Sequence, residues 1–149
     1  MLKEMLTRDT IRFAKETENW ESAIALVAEP LIEKGLIKEC YVKACIDSVH
    51  KLGPYIVVSP MVAMPHALAP ECVNQTSLSY LNLEKPVDVL DNPERSAKLF
   101  IMLAAEDKSK HVDAVVALGS ILSDDTNLER MINAKNVDDV LSIIDESDS

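Results

Sequence analysis

Four prolines, Pro54, Pro60, Pro65 and Pro70, recur every five or six residues after Gly53 and forbid a helix across that stretch. Each lacks an amide donor, locks its own φ and restricts the residue before it, so the backbone must run extended or turn. Between them, Tyr55-Ile56-Val57-Val58 and Met61-Val62-Ala63-Met64 have the β-branched, apolar composition of buried strands. Pro65 fixes the backbone immediately before His66. The pattern predicts an imidazole held rigidly at a strand end.

A chain of 149 residues can fill one core and is short for two, so residues 1–149 are expected to form a single domain. With 48% hydrophobic and 27% charged residues it reads as a folded protein, and two Phe, three Tyr and one Trp leave the core largely aliphatic. The net charge of −10, with no basic cluster, excludes duplex nucleic acid and a membrane-surface helix, and suits a basic protein partner. The longest apolar run, Leu99 to Ala105, falls far short of the roughly 20 residues that a bilayer span needs, so no membrane insertion is expected. Met1-Leu2-Lys3-Glu4 is charged and amphipathic from the start and has no signal-peptide core, which points to the cytoplasm.

Cys40, Cys45 and Cys72 are odd in number and show no CxxC spacing, so they are read as small buried hydrophobes rather than a disulfide framework or a zinc knuckle. Only Gly35, Gly53 and Gly119 occur, which leaves no phosphate-cradling loop and no expected cofactor.

Periodicity predicts a short amphipathic helix through Leu2, Met5, Leu6, Asp9 and Phe13. A second is capped by Asn19 and stopped at Gly35, with Pro30 forcing a kink or restart near Glu29. A third is expected over Ile37–Leu52, burying Tyr41, Cys45, Val49 and Leu52 and leaving His50 on a solvated stripe with Glu39, Lys43 and Asp47. Further strands are predicted at Ser77–Glu84, ended by Lys85-Pro86, and at Leu99–Ala104, the latter covered on both faces. Lys110–Leu122 should then form a helix with Val112, Val115, Val116, Gly119 and Leu122 facing inward, followed by helices near Asn127–Ala134 and Val137–Ile144 and an acidic tail. Together these make an α/β domain with a central mixed sheet sandwiched between helices.

His111 falls in the first turn of the helix opened by Asp107 or Ser109, where unpaired backbone donors and the helix dipole favour an anion such as phosphate. The functional reading brings His66 and His111 together at strand ends; the alternative leaves two isolated, partly buried imidazoles. Without a nucleotide loop or nucleophilic serine motif, a neutral imidazole can still accept a phosphoryl group directly as a phosphoramidate. Zinc is the competing chemistry for the pair, but it wants three protein ligands and no such spacing is present.

Ala63-Met64-Pro65-His66-Ala67, then Leu103-Ala104-Ala105 and His111-Val112-Asp113 opening a helix that ends Ile121-Leu122-Ser123-Asp124, resemble the mannitol/fructose-type enzyme IIA domain of the bacterial phosphoenolpyruvate-dependent sugar phosphotransferase system. The resemblance runs from Trp20 to Ile144, and Gly53-Pro54-Tyr55 with Met64-Pro65-His66-Ala67 is most similar to the ascorbate-specific branch.

The resemblance implies a cytoplasmic phosphoryl carrier with the family's sandwiched mixed sheet. His66 would accept phosphate from the histidine phosphocarrier protein and donate it to a cysteine on a separate enzyme IIB. His111 would stabilise the phosphoryl group, and a membrane permease would be served indirectly. A regulatory module of the same fold, signalling its phosphorylation state through protein binding, is the alternative. Mannitol-type members carry an arginine near the position of Ser48, whereas no arginine lies between Arg12 and Arg95 here. The ascorbate-like branch shares that gap, so it points to subfamily. The carbohydrate is not encoded in a chain that never touches it, and a homodimer is left open.

Overall fold

In the computed structural model, which describes residues 2–148, the strands β1 (Ile11–Ala14), β2 (Val57–Ser59), β3 (Met61–Ala63), β4 (Ser77–Asp88) and β5 (Ser96–Ala104) form one sheet of order β1-β4-β5-β3-β2. β1 runs parallel to β4 and β3 parallel to β5, while β4–β5 and β3–β2 are antiparallel, so the sheet is mixed.

β5 sits in the middle, and its side chains serve two cores in turn. Phe100, Met102 and Ala104 pack under α2 (Trp20–Glu33) and α3 (Cys40–Leu52). Leu99, Ile101 and Leu103 pack under α1 (Leu2–Met5), α4 (Lys108–Leu122), α5 (Asp125–Asn133) and α6 (Val137–Asp148). Period-two alternation across a covered strand requires this continuous apolar run. The sandwiched mixed sheet expected from the sequence is therefore the fold observed.

Several local expectations are corrected. The first helix stops at Met5, and Phe13 lies in β1, because Ile11–Ala14 finds a parallel partner in Tyr80–Leu83. α2 begins as expected, with the Asn19 side chain accepting from the Ser22 amide, but it continues through Pro30 to Glu33 without a restart. Gly35 takes φ +73° just beyond it, and the Gly35 and Leu36 amides bond back to Ile32 and Leu31, a left-handed stop that a β-carbon would strain.

α3 starts at Cys40 rather than Ile37, and Leu52 is 67% exposed instead of buried. β4 does not end at Lys85-Pro86; it runs to Asp88, accommodating Pro86 where its register against β5 breaks between Asn82 and Val87.

In α4 the buried stripe is Ala114, Leu118 and Ile121, while Val112, Val115 and Val116 are exposed. Both stripes have helical spacing; the apolar valines gave the wrong phase. Finally, Cys40 and Cys72 form a disulfide, which corrects the reading of all three cysteines as isolated hydrophobes, and only Cys45 is a free, buried thiol. A helix start and a three-residue turn separated by 32 positions in sequence meet there, a juxtaposition that spacing alone does not reveal.

Candidate functional site

β3 ends at Ala63, and the chain leaves the sheet through Met64-Pro65-His66. The Met64 amide donates to the Ile56 carbonyl at 2.7 Å, and the Leu103 amide of β5 donates to the Pro65 carbonyl at 3.0 Å. Beyond the histidine, the Ala67 amide donates to the Tyr41 hydroxyl (3.1 Å), which itself donates to the Leu103 carbonyl (2.6 Å). The Tyr55 hydroxyl donates to the His66 carbonyl at 2.6 Å. His66 is thus pinned on both sides by backbone groups tied to the sheet and to α3.

The ring is equally constrained. His66 Nδ1 lies 2.6 Å from the Met64 carbonyl oxygen, which can only accept, so Nδ1 carries the hydrogen and Nε2 keeps its lone pair in the neutral ring. Tyr55 meets the imidazole edge-on, with ring centroids 5.2 Å apart and planes at 90°. Burial holds the imidazole below its ordinary pKa, the Met64 hydrogen bond opposes this, and His111 adds to the lowering. The result is an imidazole kept neutral with one nitrogen free.

α4 opens beside it. The Asp107 carboxylate caps the helix by accepting from the Lys110 amide at 2.8 Å, and His111 follows in the first turn with its amide bonded to the Asp107 carbonyl. The His66 and His111 rings stand 5.6 Å apart at 44°. The two histidines singled out in the sequence are therefore neighbours at the carboxyl ends of the parallel strands β3 and β5. His111 also shares the inward phase of Ala114 and Leu118, which turns it toward the sheet.

Next to the pair is a cavity of about 380 Å³ lined by Ala67 to Pro70 on one side and by Ala105, Lys108 and His111 on the other. Glu106 and Asp107 complete the wall. Glu106 accepts from the Thr76 amide and hydroxyl and from Lys110, and the Thr76 amide is the chief reason that its carboxyl lies below the usual range. Lys108, at the first position of α4, makes no ion pair among the described residues. Among the described residues no arginine lines this cavity.

His50 lies elsewhere, packed edge-on against Trp20 at 5.2 Å and 3.9 Å from Glu21, as its solvated stripe suggested. Among the described residues, no three His, Cys, Asp or Glu side chains gather to hold a metal ion. The sequence pattern puts Tyr41 only in the core stripe and Tyr55 in a strand, whereas Tyr55 lies in the turn before β2, which starts at Val57. Their hydroxyls both reach the His66 segment, and the position of Tyr55 between two of the prolines was the available signal.

Fold and site together define an α/β protein with paired imidazoles, one of them tautomer-fixed, at the carboxyl edge of a mixed sheet. The chain belongs to the family described as "Phosphoenolpyruvate-dependent sugar phosphotransferase system, EIIA 2", whose model matches residues 4–147. It is 28% identical over 141 residues to the "Ascorbate-specific PTS system EIIA component" of Escherichia coli (strain K12), covering 94% of this chain and 92% of that protein.

Among solved structures it is similar to the solution structure of the mannitol-specific cryptic phosphotransferase enzyme IIA CmtB from Escherichia coli. That match has a TM-score of 0.88 and 34% identity, over 97% of this chain and 98% of that one. The crystal structure of IIA mannitol from Escherichia coli matches with a TM-score of 0.79 and 26% identity, over 93% and 97%. The chain is accordingly a component of the sugar phosphotransferase system with a phosphotransferase role, and none of its described helices is long and apolar enough to cross a membrane.

Proposed function

We propose that this chain is a cytoplasmic phosphoryl carrier in which His66 accepts phosphate from the histidine phosphocarrier protein and passes it to a cysteine of a separate enzyme IIB. The carbohydrate whose uptake this serves is taken to be ascorbate, on the likeness to the ascorbate-specific component. The whole chain acts as one enzyme IIA unit.

The observation that carries this reading is the hydrogen bond from His66 Nδ1 to the Met64 carbonyl, which leaves Nε2 unprotonated. In the first step a bond forms from Nε2 to phosphorus as the nitrogen–phosphorus bond of the donor breaks, and the donor imidazole departs with that electron pair. No proton has to leave His66 first. The positive charge that builds on the ring is stabilised through Nδ1–H by the Met64 carbonyl. His111 and Lys108, at the opening turn of α4, flank the phosphoryl oxygens and take the place of the mannitol-type arginine. In the second step the thiolate of enzyme IIB attacks phosphorus, and His66 leaves as the same neutral tautomer.

Docking of both partners is assigned to the apolar surface around the pair. Leu68, two residues after His66, is 84% exposed, and Val112, next to His111 in the chain, and Val116 stand open on α4.

Intact-mass analysis after incubation with phosphoenolpyruvate, enzyme I and the histidine phosphocarrier protein tests this. The native chain should gain one acid-labile phosphoryl group, His66→Ala should gain none, and His111→Ala should gain it but slow its onward transfer. Full labelling of His66→Ala would end the assignment.

A further inference from the structure

At the opposite end of the sheet, about 16 Å along β5 from the histidine pair by strand rise, a second cavity of about 470 Å³ opens between the end of β1 and the α5–α6 connection. Three lysines, Lys15, Lys98 and Lys135, line it. Among the described residues none of these three lies within ion-pairing distance of a carboxylate. Glu84 is the single acidic residue on the wall, and nearby Asp139 is bound to the Lys135 backbone amide at 2.9 Å.

Lys98 is placed there by the backbone. Along β3, Met61 and Val62 are consecutive, but their partners on β5 are Ala97 and Leu99, so Lys98 is the extra residue of a bulge. Ala97 accordingly faces the α2–α3 core and Leu99 the opposite one, and Lys98 turns toward α5. Bulges of this kind re-aim a side chain at the expense of regular pairing.

Its ammonium donates to Asn82 Oδ1 at 2.6 Å and to the Ile132 carbonyl at 3.0 Å, which leaves one of its three hydrogens unassigned. Asn82 is buried, and its amide nitrogen is taken up by the Tyr80 hydroxyl and the Ile132 carbonyl. The opposite wall is apolar, formed by Phe13, Ala14 and Ala134.

We propose that this cavity is a binding site for a small organic phosphate, its oxyanion held by Lys15, Lys98 and Lys135 and its carbon skeleton laid against Phe13. Three like charges around one cavity repel, and burial and Lys135 together hold the Lys98 ammonium below its ordinary value while Glu84 opposes them. A bound dianion relieves that repulsion and supplies charge-assisted acceptors for donors now facing solvent. The aromatic wall distinguishes an organic phosphate from the free ion.

The site shares no residue with the histidine pair and does not rest on the proposed function. Amide chemical shifts of the full chain, titrated with phenyl phosphate and separately with inorganic phosphate, test it. Saturable shifts confined to the end of β1, the middle of β4, the start of β5 and the α5–α6 connection are expected for phenyl phosphate, with weaker affinity for inorganic phosphate. Lys135→Ala and Lys15→Ala, both at exposed positions, should each weaken binding about tenfold, and Lys98→Met more. His66→Ala should leave it unchanged. Shifts that do not saturate, equal affinity for the two probes, or variants that bind as the native chain does would overturn the proposal.

Discussion

The Tyr55 hydroxyl donates to the carbonyl of His66 at 2.6 Å while its ring stands perpendicular to the His66 imidazole, with centroids 5.2 Å apart. One side chain thus fixes both the backbone and the ring plane of the proposed acceptor. Tyr55→Phe keeps the ring contact and loses only the hydrogen bond, worth about 1 kcal/mol, or roughly a five- to tenfold loss in transfer rate. Tyr55→Ala should lose more than Tyr55→Phe. Equal rates in quench-flow transfer assays for the native chain and both variants would show that the contact does not position the ring.

Tyr41 acts from beneath. Its buried hydroxyl accepts from Ala67 and donates to Leu103, and burial pushes its pKa well up, so it stays protonated and able to donate. Tyr41→Phe leaves both backbone groups without that partner and should cost about 2 kcal/mol in urea denaturation, with slower phosphoryl acceptance. An unchanged midpoint would contradict this account of the loop.

His66 should also mark the pH profile. Because its folded pKa is lowered from the ordinary value of about 6.5, the unfolded chain binds more protons in the window between the two values. Stability from this group is therefore complete above the unfolded value and is lost as the pH falls toward the folded one. His66→Gln should flatten that slope, and acceptance by the native chain should persist below the ordinary imidazole value. Identical acid limbs in denaturation of the native chain and His66→Gln would rule out the shift.

The Cys40–Cys72 disulfide ties the start of α3 to the turn that follows the His66 segment, closing a loop across a separation of 32 residues. The chain-entropy model gives about 3–4 kcal/mol for such a loop. Reduction, or Cys40→Ser, should lower the denaturation midpoint accordingly, while free Cys45, its thiol pushed up to about 12 by burial, should resist alkylation in the folded protein. A midpoint insensitive to reductant would be the contrary result.

Much of this molecule was readable before its coordinates. The proline spacing pointed to two short strands, although the first runs over Val57–Ser59 rather than Tyr55–Val58; the unbroken run Leu99–Ala104 announced a strand covered on both sides, and of the two candidates Asp107 and Ser109 it is Asp107 that caps the helix carrying His111. Several of the failures share a cause: they depended on partners distant in sequence.

Ile11–Ala14 is too short to declare itself and becomes a strand only by pairing with β4. The phase of α4 is set by docking against the sheet, which put Ala114, Leu118 and Ile121 inside and left the more apolar valines outside. The hydroxyl contacts of Tyr41 and Tyr55 and the meeting of Cys40 with Cys72 are likewise products of the tertiary fold.

Leu103 belongs to the central strand, yet its amide holds Pro65 and its carbonyl holds Tyr41, so a single peptide neighbourhood anchors the proposed acceptor from two directions. A slip of β5 by one residue would turn its apolar set inside out and carry both anchors away. Assembly of the seat and assembly of the core are consequently one event. If His66 is the acceptor proposed above, the peptide that organises the centre of the sheet also holds its imidazole in place.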